Sequence, residues 1–199
     1  MNLSIKYSGL PLHISIDGIT VKWSKIFEVI KYINLKSHDI IIDGFRYLPY
    51  YGILYINERD NWIYDYLPID GVEDKIILDI GAGCGETAKF YLDNGAKKVI
   101  CIEPDYNAYK YLLHNSYFDD RIIPIHKYFN IDMLNIKHDF MKMDIEGAEI
   151  LFLLYANNYN KSCVIEAHSN YIINKLINAE FVRYTYDMPN QAIMQRNLR

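Results

Sequence analysis

The sequence has little of what marks secreted, membrane or nucleic-acid-binding proteins. Its 199 residues include only three cysteines, widely spaced and in no CxxC or Cys/His metal pattern, so we expect reduced thiols and a reducing compartment. The N-terminus lacks a charged stretch followed by an apolar one, and no apolar run approaches the roughly 20 residues of a membrane span. The net charge of −4 offers no basic footprint for a nucleic-acid backbone. These absences predict a soluble, cytoplasmic protein.

What the sequence does contain is an alternation of strand and helix patterns from residue 75 onward. Continuous apolar runs typical of buried strands are followed by amphipathic segments, and the chain ends in a strand pair around "DMPNQ". The predicted strands are 75–80, 97–104, 121–129, 138–146, 161–168 and two within 181–197, and the predicted helices are 86–95, 106–118, 147–159 and 170–180. This order predicts an α/β, Rossmann-like sheet of seven strands, mostly parallel with an antiparallel terminal hairpin. The segment 129–137 is too short for a full crossover helix.

The first 74 residues differ from the rest and are predicted to form an α/β extension. Residues 22–36 have a helical pattern, whereas 39–48 and 51–59 alternate like paired strands, and 68–74 is the best linker candidate. Eight aromatic residues fall within 45–66; we favour their packing on the core over contact with a ligand. We therefore divide the chain into residues 1–74, an acceptor-side cap, and a catalytic domain, 75–199.

Glycine is scarce, with ten in the chain, yet three occupy alternate positions in "DIGAGCG" (79–85) directly after a predicted strand. A strand, a glycine-rich turn and a helix together form a nucleotide site, because glycine allows close backbone approach and the helix start offers free N–H groups. Dinucleotide folds require G-x-G-x-x-G, but Glu86 stands at the third glycine position, and its carboxylate would repel a pyrophosphate. The spacing D-x-G-x-G-x-G instead resembles motif I of class I S-adenosylmethionine (SAM) methyltransferases.

Glu103 supports this interpretation, because it ends the second predicted strand, 22 residues after Gly81. A carboxylate there can accept hydrogen bonds from both ribose hydroxyls, in NAD enzymes as well as in SAM enzymes. The residues predicted to bind SAM are Asp79, Gly81, Ala82, Gly83, Gly85, Glu103, Pro104 and Asp144.

Three further stretches, "CIEPDYNAYKYL" (101–112), "MKMDIEGAE" (141–149) and "CVIEAHS" (163–169), resemble the FkbM family of SAM-dependent methyltransferases. The resemblance covers about residues 75–197. It implies SAM as the cofactor and O-methylation of a sugar or another small hydroxylated acceptor.

Three residues at the ends of predicted strands are the catalytic candidates, Asp144, Glu146 and His168. Asp144 could hold the SAM amino group or a substrate hydroxyl, and Glu146 could be a general base or a Mg²⁺ ligand. The alternative is that Glu146 and Glu149 only stabilise the start of a helix. His168 could deprotonate a hydroxyl, oriented by Glu166, or be a surface histidine. We assign no metal site.

Two other functions stay open. An RNA methyltransferase would need a basic surface, and the acidic composition of this chain gives no indication of one. A non-catalytic SAM-binding protein could use the aromatic N-terminal region as an interaction surface.

Overall fold

The computed structural model describes residues 3–6, 13–16, 18–184 and 190–196. The chain begins with a three-stranded antiparallel sheet, followed by a 3₁₀ turn, a helix, a β-hairpin and a long helix. These elements are β1 (Leu3–Lys6), β2 (His13–Ile16), β3 (Ile19–Val21), the turn Trp23–Lys25, α1 (Ile26–Tyr32), β4 (Ile40–Ile42), β5 (Phe45–Tyr47) and α2 (Pro49–Asp65).

A seven-stranded sheet forms the rest of the molecule and confirms the predicted Rossmann-like class. Its order is β8-β7-β6-β9-β10-β12-β11, and β12 runs antiparallel to both of its neighbours. The strands are β6 (Ile76–Ile80), β7 (Lys98–Ile102), β8 (Ile122–Ile125), β9 (Phe140–Met143), β10 (Ser162–Ala167), β11 (Val182–Tyr184) and β12 (Ala192–Arg196). The helices are α3 (Glu86–Asp93), α4 (Tyr106–Ser116) and α5 (Asn170–Asn178). The predicted "DMPNQ" turn falls largely on 185–189, outside the described residues.

The core lies on both faces of this sheet, as the continuous apolar strand runs predict. Ile77 and Phe140 belong to the cluster that also contains α2, whereas Leu78 and Met141 belong to the cluster on the opposite face. The first cluster joins the N-terminal elements to the sheet. Within the described parts of the chain, no helix is both long and apolar enough to cross a membrane.

The prediction of a strand over 51–59 is wrong, because this segment lies in α2. Pro49 occupies the first turn, where its missing N–H costs no hydrogen bond, and Ile53 and Ile56 are buried at a helical spacing of three. The strand pair instead forms within 39–48. Asp43 and Gly44 both have positive φ (50° and 87°), the backbone of a tight two-residue hairpin turn.

The helix predicted over 147–159 is also largely wrong. A 3₁₀ helix covers only Ala148–Leu151, and the chain continues in turns. The Arg196 guanidinium donates to the carbonyl oxygens of Ala156 and Tyr159, at 2.8 Å each. A side chain of β12 thus provides hydrogen bonds that backbone N–H groups would provide in an α-helix. The segment after β8 is short as predicted, with a 3₁₀ helix at Ile131–Asn135.

Candidate active site

A cavity of about 400 Å³ opens at the carboxyl ends of β6, β7 and β9, with the start of α2 on its other side. This is the edge at which parallel α/β sheets bind ligands. The cavity brings together six residues that the sequence predicted for the site, Gly81, Gly83, Glu103, Pro104, Asp144 and Glu146.

The glycine loop after β6 is shaped by close backbone approach. A Cβ on Gly81 would lie 1.7 Å from the carbonyl oxygen of Asp144, and one on Gly83 would lie 2.5 Å from Glu86 Oε1 and 2.7 Å from the Tyr51 ring. Both glycines also have positive φ, 80° and 54°. No other residue fits these positions without displacing its neighbours.

Glu103 is the acid nearest the loop on the β7 side. Its Oε2 accepts a hydrogen bond from the Gly83 N–H at 2.8 Å, and its Oε1 accepts one from the backbone N–H of Asp105 at 2.6 Å. Burial raises the pKa of this carboxyl against the effect of these hydrogen bonds. Each carboxylate oxygen has a second acceptor position, so Glu103 can still receive hydroxyl donors from the cavity.

Three of the residues predicted to bind SAM do not line the cavity, namely Asp79, Ala82 and Gly85. Asp79 is fully buried beneath the loop, where it accepts from the Thr87 hydroxyl at 2.5 Å and lies 3.4 Å from Lys142 Nζ. Gly85 is the N-cap of α3, with a left-handed backbone. These residues shape the loop from below and do not face the cavity.

Sequence reasoning missed Lys142, a buried lysine in the middle of the sheet. Its ammonium donates to the carbonyl oxygen of Gly81 at 2.9 Å and lies 3.8 Å from Asp144 Oδ2. Burial alone would lower the pKa of Lys142, but Asp79 and Asp144 outweigh it and raise that pKa. A lysine between two methionines in an otherwise apolar strand was the available signal.

Glu86, which argued against a dinucleotide, lines the cavity from the first turn of α3. Its Oε2 accepts a hydrogen bond from the Cys84 N–H at 3.0 Å. Burial raises the pKa of Glu86 to about 8. The loop therefore presents a second carboxyl group to the cavity beside Glu103.

The structure brings the three catalytic candidates together just after β9 and β10, where Asp144 and Glu146 line what we call the acidic end of the cavity. The Nε2 atom of His168 lies 3.6 Å from Asp144 Oδ1 and 3.6 Å from Glu146 Oε2. Glu146 is 81% exposed and has a φ of 54°, whereas the His168 side chain is only 9% exposed. His168 lies behind the two carboxylates and is not itself part of the cavity wall.

Glu149, and not Glu166 as expected, orients the His168 ring. Its Oε1 lies 3.0 Å from His168 Nδ1 and also accepts from the Ile145 N–H at 3.0 Å. The hydrogen bond between Glu149 and His168 is the main cause that raises the pKa of His168 to about 9. Glu166 instead accepts from the Tyr66 hydroxyl at 2.7 Å. Glu149 also lies in the first turn of the 3₁₀ helix, as the alternative interpretation placed it, and it binds His168 in addition.

The aromatic stretch 45–66 both packs on the core and faces the cavity. Phe45, Tyr47 and Tyr55 are buried as expected, but Tyr50 and Tyr51 line the cavity in an edge-to-face pair with ring centroids 5.2 Å apart. Burial and the nearby Glu146 and Asp144 carboxylates raise the pKa of Tyr50. The cavity is thus aromatic on one wall and acidic on the other.

Comparison with known proteins identifies this fold. A candidate RNA methyltransferase from Pyrococcus horikoshii superposes with a TM-score of 0.52 at 20% identity, covering 70% of this chain and 82% of that one. Trm5b from Pyrococcus abyssi gives a TM-score of 0.54 at 15% identity and covers 97% of this chain and 61% of that one. The chain has the fold of class I SAM-dependent methyltransferases.

Sequence comparison gives a weaker relation. The histone-arginine methyltransferase CARMER of Drosophila grimshawi is 29% identical over an alignment of 117 residues, and the match covers 51% of this chain and 21% of that protein. The chain therefore spans about a fifth of the length of the curated relatives it matches. No family model matches the chain, so membership of the FkbM family stays a prediction.

Proposed function

We propose that this protein is a SAM-dependent methyltransferase that methylates an oxygen of a small hydroxylated acceptor, such as a sugar. The observation that carries the proposal is one cavity whose lining includes the glycine loop, Glu103, Asp144 and Glu146. The loop has the spacing D-x-G-x-G-x-G, and the Glu86 side chain lines the cavity at the position where a dinucleotide fold has a small residue. Both features favour a sulfonium ligand that carries no phosphate over a dinucleotide.

The residues have distinct proposed roles. Gly81 and Gly83 allow the cofactor to lie against the loop backbone, and Glu103 accepts hydrogen bonds from the ribose hydroxyls. Asp144 and Glu146 hold the acceptor hydroxyl, and His168 orients their carboxylates from behind. The proton of the hydroxyl passes to Glu146, which is 81% exposed, and from there to solvent. The acceptor oxygen then attacks the methyl carbon in line, the carbon–sulfur bond breaks, and its electron pair stays on sulfur, giving S-adenosylhomocysteine.

Calorimetric titration with S-adenosylhomocysteine tests the cofactor assignment. We expect binding of S-adenosylhomocysteine and none of NAD, and Glu103→Ala should weaken binding by about 1–3 kcal/mol through loss of charge-assisted hydrogen bonds. Glu73→Ala, which removes an exposed carboxylate far from the cavity lining, is the matched control and should bind normally. Binding of NAD without a response to S-adenosylhomocysteine would overturn the proposal.

A second candidate acceptor is a cationic nitrogen group such as a guanidinium. It is favoured by the carboxylates near the methyl end of the cavity, Asp144, Glu146 and Glu166, and by the relatives named for histone-arginine methylation. The same carboxylates disfavour the phosphodiester backbone of RNA. Assays with pooled sugars and with arginine-containing peptides, using radiolabelled SAM, separate the two acceptors.

A further inference from the structure

The three side chains at the acidic end of the cavity have the donors and spacing of a metal site. Asp144, Glu146 and His168 each offer one ligand atom, and these atoms all lie within 4.8 Å of one another. A divalent ion with bonds of about 2.1–2.2 Å places adjacent ligand atoms about 3 Å apart and opposite ones about 4.3 Å apart. The two separations of 3.6 Å from His168 Nε2 fall within that span and are too long for hydrogen bonds.

The His168 ring is oriented by a carboxylate, as the rings of metal-ligating histidines usually are. Its Nδ1 lies 3.0 Å from Glu149 Oε1, and Glu149, 1% exposed, is fixed in turn by the Ile145 N–H. Metal-ligating histidines almost always donate their second ring N–H to such a carboxylate, which turns the other nitrogen toward the ion. His168 Nε2, on a side chain nine-tenths buried, makes no hydrogen bond to any residue that the structure describes.

Asp144 supplies an independent observation. Its Oδ1 is buried and has no hydrogen-bond partner among the described residues, although it lies 3.6 Å from His168 Nε2. Leaving a buried carboxylate oxygen without a partner is costly, and a cation between these two atoms would satisfy both. Lys142 reaches only the other oxygen, Oδ2, at 3.8 Å.

We propose that Asp144, Glu146 and His168 bind one divalent transition-metal ion of the Mn²⁺ or Zn²⁺ type at the acceptor end of the cavity. The mixed set of two oxygens and one imidazole nitrogen favours such ions over Mg²⁺ or Ca²⁺, which prefer oxygen ligands alone. Glu146 is 81% exposed and lines the cavity, so the remaining coordination positions face the space where the acceptor would lie.

The role of the ion rests on the proposed function. Coordination would lower the pKa of the acceptor hydroxyl, whose proton leaves to solvent before the oxygen forms its bond to the methyl carbon. This predicts an acceptor with an oxygen that can bind a metal, and two adjacent hydroxyl groups would fill two positions.

Mn²⁺ binding tests the site without any substrate. Electron paramagnetic resonance of chelator-stripped protein should show one bound Mn²⁺, and pulsed measurements should detect coupling to an imidazole nitrogen. Glu146→Gln, on a side chain that is 81% exposed, should weaken binding at least about tenfold. Glu73→Gln, the same substitution at an exposed site away from the cavity, should leave binding unchanged.

The outcomes separate this proposal from the methyltransferase assignment. Absence of saturable Mn²⁺ and Zn²⁺ binding below about 1 mM would overturn the metal site, as would binding that Glu146→Gln leaves intact or that lacks nitrogen coupling. Normal binding of S-adenosylhomocysteine in that case would leave the proposed function standing. Mn²⁺ binding with the expected variant pattern, but no binding of S-adenosylhomocysteine, would support the metal site and reject the proposed function.

Discussion

At the scale of single residues, the site depends on groups that the sequence marks to different degrees. Glu103 and the glycines stand out by their spacing in the sequence. Asp105, two residues after Glu103, is the N-cap of α4 and accepts a hydrogen bond from the Ala108 N–H at 2.8 Å. Lys142 and Glu149 were not predicted as parts of the site, because their partners lie on other elements, at Gly81 and at His168. Only the folded sheet brings these pairs together.

Gly83→Ala tests the loop geometry. A Cβ at this position would lie 2.5 Å from Glu86 Oε1 and 2.7 Å from the Tyr51 ring, so the loop must shift where the cofactor is proposed to lie. We expect at least about tenfold weaker binding of S-adenosylhomocysteine by calorimetry. Gly71→Ala is the matched control, because Gly71 also has positive φ (67°) but its Cβ would meet nothing within 4 Å. Equal effects of the two substitutions would contradict this account.

Glu86 makes the stability of the protein depend on pH. Burial raises its folded-state pKa to about 8 from 4.5, with Lys142 acting against the shift and Asp79 adding to it. Ionisation of Glu86 therefore costs more free energy in the folded state than in the unfolded state. The protonated carboxyl contributes its full share to the free energy of unfolding below pH 4.5, and this contribution is lost as the pH rises through 8.

Glu86→Gln should remove this loss. The free energy of unfolding of the variant, relative to wild type, should increase by about 1–3 kcal/mol between pH 5 and pH 8.5 in urea denaturation. Glu73→Gln, at an exposed position, should show no such trend. A pH-independent difference for Glu86→Gln would show that burial does not shift this carboxyl.

At the scale of elements, continuous apolar runs correctly predicted the buried strands, whereas short segments of mixed apolar and polar residues were assigned the wrong secondary structure. The run "KIILDI" admits only a buried strand before a glycine turn, but "YGILYINER" fits both a two-residue and a three-to-four-residue period. Packing decides in favour of the helix, because Gly52, Ile53 and Ile56 are buried at the spacing of one helical face. The Asp43–Gly44 turn was a local signal for the hairpin that the prediction did not use.

Gly52→Ala tests the packing of α2 on β4. Alanine in place of glycine within a helix ordinarily stabilises by about 1 kcal/mol. Here the added Cβ would lie 2.4 Å from the Cβ of Ile40, so we expect a loss of about 1–3 kcal/mol in the free energy of unfolding. Asn61→Ala, at an exposed position of the same helix, should be close to neutral. Stabilisation by Gly52→Ala would show that α2 does not pack tightly against β4.

At the scale of the whole molecule, alternating strands and helices predict the sheet and its ligand-binding edge. The position of the N-terminal elements does not follow from local pattern, since it depends on contacts between residues distant in sequence. The Tyr66 hydroxyl donates to Glu166, 100 residues away, and the Gln195 amide donates to the carbonyl oxygen of Asp65 at 2.9 Å. These contacts attach the end of α2 to β10 and β12, beside the acidic end of the cavity.

The last prediction follows from this attachment and from the proposed cofactor. If α2 closes over the cavity as a cap, ligand binding should restrict both the glycine loop and the start of α2, because Tyr51 contacts the loop at Gly83. Hydrogen–deuterium exchange with saturating S-adenosylhomocysteine should slow exchange in peptides covering 81–86, 103–109 and 49–55, by about tenfold or more in the loop. Peptides from β2 and β3 provide the internal control and should be unchanged. Protection confined to residues after 75 would show that the first 74 residues pack beside the cavity without capping it.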